Sequence, residues 1–119
     1  MATILNQDGL GRAAQLIMDD ISHGAVGTGV NAPVLTDTKL VTETNRIATT
    51  KTIRDANILQ HRSFFLNSQL PTTVEEVGWF MNGSATVDSG DMLCRSTFKF
   101  VKASQDMLLI FEAIIQEEN

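Results

Sequence analysis

Apolar residues recur at two different periods along this chain. In NQDGLGRAAQLIMDDIS, residues 6–22, Leu10, Ala14, Ile17 and Ile21 stand three or four apart. That spacing lines one side of an α-helix and predicts a helix over about residues 9–22. Asn6 or Asp8 can cap its start, because a side-chain oxygen there accepts an orphan backbone N–H. Gly24 reads as the stop just past its end, while Gly9 and Gly11 weaken the first turn.

From Ala25 onward the pattern shortens. KLVTETNRIATTKTI, residues 39–53, is rich in Thr, Val and Ile, which suit a pleated surface. Leu40 and Val41 can form a turn or a one-turn helix ahead of that strand. Further strands are predicted over residues 57–67, 74–81, 91–100 and 106–116. In residues 57–67, Ile58, Phe64 and Leu66 share one parity, with Gln60 and Arg62 between them. In the last strand Met107, Leu109, Phe111, Ala113 and Ile115 point one way, and Leu108, Ile110 and Ile114 the other. Two apolar faces predict a central strand covered on both sides; a buried helix would give the same run and ranks second. MNGSATVDSGD, residues 81–91, carries Asn-Gly and Ser-Gly turn signals and reads as a hairpin loop. One helix followed by short strands at regular spacing predicts a mainly β fold, an antiparallel, jelly-roll-like β-sandwich with one short N-terminal α-helix. The 119 residues are expected to make one domain, residues 1–119.

Charge removes some functions. The net charge is −5 and the nine basic residues are scattered singly. A nucleic-acid surface would show a basic stripe, and an anionic membrane would repel this chain. The longest apolar run, MLLIF, is far too short to span a bilayer. The N-terminal residues lack the basic and apolar regions of a signal peptide.

Candidate chemistry is thin. Gly24, Gly27 and Gly29 do not make a phosphate-binding loop, because no Gly-Lys-Ser/Thr follows. They also follow a helix, where a dinucleotide fingerprint follows a strand. The alternative is that Gly27 and Gly29 permit positive φ and close backbone approach. His23 and His61 sit in no spaced cluster with carboxylates or with Cys94, the single cysteine, so no metal site is expected. Glu75 and Glu76 are adjacent and face opposite sides of a strand, so they do not make an acid/base pair. Cys94 lacks a neighbouring histidine to activate it, and no G-x-S-x-G elbow occurs. Neither catalytic residues nor a cofactor are expected. Of Trp79 and Phe80, one should face the core and the other a second sheet or a partner subunit.

Three segments together resemble a known family. GTGVNAPVLTDTKLVTETNR is similar to the G-T-G-x-x-A-P-x-x-x-D-T-x-L-x-x-E-x-x-R stretch of many small tailed-bacteriophage virion proteins, often described as tail-fibre or tail-associated. Gly27, Thr28, Gly29, Ala32, Pro33, Asp37, Thr38, Leu40, Glu43 and Arg46 stand at the matching positions. VEEVGWF resembles that family's E-V-G-L-F strand through Gly78, with Trp79 where a smaller apolar residue is usual. GDMLCRSTF resembles its following L-x-R-x-x-F strand through Leu93, Arg95 and Phe98.

The resemblance implies a non-enzymatic β-sandwich that builds part of a virion and is made in the host cytoplasm. Its partners would be other virion proteins and copies of itself, with a trimer expected by analogy. A tail, baseplate or fibre-associated place follows the family's usual description. A capsid decoration protein is the alternative, suggested by the small size; a carbohydrate-binding adhesin is third, disfavoured because Tyr is absent and Trp79 stands alone. Within the motif, Pro33 would fix an extended path and Asp37 would cap a turn. Glu43 and Arg46 have opposite parity in a regular strand, so they can pair directly only across a bend or bulge. Otherwise they would bond loop backbone or a neighbouring subunit.

Overall fold

The computed structural model describes residues 3–116. Among these, one helix, α1 (Gln7–Asp20), precedes seven strands: β1 (Ile21–Gly27), β2 (Glu43–Ala48), β3 (Lys51–Asp55), β4 (Ile58–Phe65), β5 (Thr73–Met81), β6 (Asp91–Val101) and β7 (Met107–Ile114). They form two antiparallel sheets, one ordered β2-β1-β5-β6 and the other β3-β4-β7. The fold is a mainly β sandwich with an N-terminal helix.

Asn6 caps α1, its Oδ1 accepting the Gly9 N–H at 2.9 Å. Ala14 is buried, and Ile17 and Met18 pack with it against Ile21, Leu59 and Trp79. The helix does not stop at Gly24. It ends at Asp20, and Ile21 is already extended at φ −68, ψ 122. Gly24 sits in the middle of β1, where a Cβ would lie 3.0 Å from Ser63 Oγ and 3.1 Å from the Trp79 ring. Its missing side chain makes room between the sheets and ends no helix.

The run 39–53 is two strands in different sheets. The chain turns the corner at Thr49 and Thr50. Thr49 N–H donates to Ser22 O in the first sheet at 3.0 Å, and Thr50 N–H to Arg62 O in the second at 2.7 Å. Thr suits a pleat on either side, so composition alone does not mark the break. The hairpin loop lies where expected, with β5 and β6 paired across residues 82–90.

The interior divides into two regions. Val26, Phe65, Leu70, Val74 and Val77 fill one, and Ala14, Ile21, Leu59 and Trp79 fill the other beneath the helix. Along β4 the buried parity is Leu59, His61, Ser63 and Phe65; Ile58 and Phe64 face outward. The last strand departs from expectation. Among the described residues β7 is an edge strand whose outer face is uncovered; only its odd-numbered side chains reach the interior, and Leu108, Ile110 and Ile114 lie on the outer face.

Candidate functional site

The outer face of the four-stranded sheet is covered by the chain's own long crossover, residues 28–42. Leu40 is its plug. It is fully buried with Ala25 and Phe80, and Met92 packs against them. Gly78 lies beneath it, where a Cβ would stand 2.9 Å from Leu40 Cδ2 and 3.0 Å from the Cys94 carbonyl.

Glu76 of β5 fastens the crossover. Its side chain is fully buried. Oε2 accepts the Gly29 N–H at 2.7 Å and the Thr42 N–H at 2.8 Å. Oε1 accepts the Val41 N–H at 2.8 Å and Arg95 Nε–H at 2.9 Å. Arg95 of β6 stands opposite Gly78, diagonally across the ladder from Glu76, within reach of its neighbour's long side chain. Burial alone would push the Glu76 carboxyl up. The Thr42 N–H, the Arg95 guanidinium and the Val41 and Gly29 N–H groups outweigh it and hold the pKa below its ordinary 4.5.

Gly27 and Gly29 are needed for close approach, not for positive φ. Among the described residues Gly90 is the glycine with positive φ, at 79°. A Cβ on Gly27 would press on the Thr42 carbonyl and come within 2.7 Å of Glu76 Oε2; one on Gly29 would meet Val41 and approach the same oxygen. Glycine is required because the carboxylate bonds the backbone itself.

Asp37 does close a turn. Its Oδ2 accepts the Val34 N–H at 2.9 Å, beside the Asp37 N–H to Val34 O bond at 3.1 Å. The same oxygen lies 3.4 Å from Arg95 Nη1. Pro33 is exposed in this part of the loop. It borders a cleft of about 410 Å³ between residues 33–37 and Met92–Arg95.

Glu43 and Arg46 pair across a bulge. Val26 faces Asn45 while Gly27 faces Glu43, so Thr44 is the extra residue, and the bulge brings two positions of opposite parity to one side. The pair is bidentate, Nε to Oε2 at 2.6 Å and Nη2 to Oε1 at 2.8 Å, with both side chains buried. Arg46 Nη1 also donates to the carbonyls of Ser84 and Ser89 at 3.2 and 2.9 Å. Its guanidinium lies 4.3 Å over the Phe80 ring. One arginine thus joins β2, the β5–β6 hairpin and the plug.

Gly27, Gly29, Asp37, Gly78 and Arg95 therefore meet around Glu76, with Glu43 and Arg46 beside them. Trp79 lies on the opposite face of β5. It packs between the sheets, with ring centroids 6.2 Å from His61 and 6.1 Å from Phe111. Both Trp79 and Phe80 are buried within this one chain, so no partner subunit is needed to cover either. From the sequence, Glu76, the hub, entered only as half of a rejected acid/base pair with Glu75. Its signal was a carboxylate inside an apolar strand, matched by an arginine inside the next.

The hub's groups are committed to holding backbone. All four Glu76 contacts are donors, leaving it poorly placed to take a proton. Elsewhere, burial lowers the pKa of His23, helped by Arg46 and offset by Glu43. It also lowers that of His61, offset by the Met18 carbonyl. Burial raises the Cys94 thiol, partly offset by the Trp79 backbone. Among the described residues no three His, Cys, Asp or Glu are placed to hold a metal ion, and no helix is long and apolar enough to cross a membrane. No protein-family model matches the chain, and no curated protein matches it.

Proposed function

We propose that the chain is a non-enzymatic structural subunit of a tailed-bacteriophage virion, associated with the tail, baseplate or fibres. Its partners are other virion proteins and copies of itself. One observation carries the reading. The residues of the phage-like motif act together: Gly29, Asp37 and Leu40 fasten one crossover onto one sheet through Glu76, Arg95 and Phe80, and Glu43 with Arg46 ties β2 to the β5–β6 hairpin beside it. A motif that encodes a rigid crossover suits a part that must keep its shape in an assembly. Function is not fold, so the test is location. Purified particles are labelled with gold-conjugated antibody to this chain and imaged by electron microscopy. Gold at the tail tip or fibres supports the placement. Gold over the head would make the chain a capsid decoration protein. Bare particles, with an antibody proven on exposed protein, would overturn the virion reading.

A further inference from the structure

The two outer faces of the sandwich are treated differently. The crossover covers the four-stranded sheet, while the three-stranded sheet has no cover among the described residues. On its outer face Ile53, Ile58, Phe64, Leu108, Ile110 and Ile114 are each 39–57% exposed. They are not scattered. Cross-strand register puts Ile58 beside Ile114 and Phe64 beside Leu108, with Ile53 and Ile110 flanking Gln60 and Arg62. Two apolar clusters, Ile58 with Ile114 and Phe64 with Leu108 and Ile110, thus flank a polar centre, and exposed apolar patches beside polar residues mark contact surfaces.

The charges on this face identify the occupant. Asp55 pairs with Ile58, and Glu112 with Gln60, so both acids lie toward one end of the strands. Lys51 pairs with Arg62, so both bases lie one row further along. A hydrogen-bonded ladder holds the centre: Arg62 Nε–H donates to Gln60 Oε1 at 2.7 Å, and Gln60 Nε2–H to Glu112 Oε2 at 2.9 Å. The four charges sum to zero, on a chain whose net charge is −5. This face is therefore one on which two copies can meet without their overall repulsion being concentrated at the contact.

We infer that the outer face of the three-stranded sheet is a two-fold interface between copies of this chain. The charges favour an axis that runs across the strands between the Gln60 and Arg62 rows. An axis running across the strands reverses one sheet's strand direction over the other. It brings Glu112 beside the second copy's Arg62, and Asp55 near the second copy's Lys51. An axis parallel to the strands and lying over β4 would instead stack Arg62 on Arg62. Sheets packed face to face keep their strands within about 30° of alignment, which preserves the first arrangement. Two strands of eight residues and one of five, about 4.8 Å apart, give a footprint of about 340 Å². Two such faces bury about 700 Å², the size of a weak, transient contact. The contact is a modest, reversible one, suited to repeated use in an array.

The inference does not depend on the virion reading, and its test uses the isolated chain. Sedimentation velocity over a dilution series should show a monomer–dimer equilibrium. Glu112→Arg and Arg62→Glu each place like charges together twice in a homodimer, so each should raise the dimer Kd at least about tenfold. Both positions are on the surface, and circular dichroism checks the fold. Mixed in equal amounts, the two variants should recover dimerisation, because each reversed charge then meets its complement. A monomer throughout, a trimer, or dimers indifferent to both reversals would overturn the inference. So would two weakened variants that fail to rescue each other.

Discussion

Replacing Glu76 with glutamine keeps the shape of the hub and removes its chemistry. Four donors converge on the carboxylate, two on each oxygen. Either orientation of the amide turns an NH2 group toward two of them. Two buried donors then lose their acceptor, at about 1–3 kcal/mol each, and Arg95 keeps only its 3.4 Å contact to Asp37 as an ion pair. Removing one partner of a buried pair costs about 3–5 kcal/mol, so a loss of about 4 kcal/mol is expected. Total stability for a domain of this size is about 5–15 kcal/mol. Urea unfolding followed by the fluorescence of Trp79, the single tryptophan, reads the change. With a slope of about 1.5 kcal/mol per molar, the midpoint should fall by about 2–3 M. The loss should also depend on pH. The folded chain holds the Glu76 pKa below 4.5, so its contribution is complete above that value. It disappears as pH falls through the folded pKa. The gap between wild type and variant should therefore narrow in acid. A gap below about 1 kcal/mol at neutral pH, or one that is constant down to strong acid, would refute the account of the hub.

Gly29→Val places side-chain atoms where Val41 and Glu76 Oε2 already are; little folded protein is expected, and a soluble variant with wild-type urea midpoint would sink the close-approach argument. Arg46→Lys keeps the charge but loses the two-point bond to Glu43 and the planar stack on Phe80. A loss of about 1–3 kcal/mol is expected from the same urea titration. His61 should titrate below its ordinary 6.5, chiefly because it is buried. The unfolded chain then takes up a proton that the fold refuses, so stability is full above 6.5 and is lost as pH falls below it. A ring-proton NMR titration with its midpoint at or above 6.5 would contradict this.

The sandwich and its helix were legible because burial on one side leaves a period of two or of 3.6 in the sequence. The Glu43–Arg46 pair was legible only as a conditional: opposite parity demanded a bulge, and the bulge is present at Thr44. Three things were not legible. Gly24 is a packing glycine that happens to follow a helical stripe. The corner at Thr49 and Thr50 lies in a run whose composition suits either sheet. Glu76 could not be recognised as a hub because three of its four donors are backbone N–H groups, which carry no residue type. A buried carboxylate that bonds main chain leaves its trace only in the glycines around it. Those glycines were visible and were expected to serve both positive φ and close approach; only close approach is what they provide.

The pattern of β7 gains a physical account from the same reasoning. Its two apolar faces led to the expectation of a strand covered on both sides, yet among the described residues it is an edge strand with a bare outer face. Its outer Leu108 and Ile114 stand opposite Phe64 and Ile58 of β4, apolar pairs that a strand selected only to stay soluble at an edge would avoid. The opposite sheet shows the contrast. There, an equally apolar patch around Phe80 is closed by the chain itself, and the closure is fixed by charged hydrogen bonds instead of apolar contact alone. Apolar contact tolerates sliding, whereas a carboxylate bonded to three particular N–H groups admits one register. The same logic on the bare sheet assigns the apolar residues to adhesion and the Arg62–Gln60–Glu112 ladder to alignment. A second copy supplies both complements from one surface, which is why the two charge reversals should fail separately and succeed together.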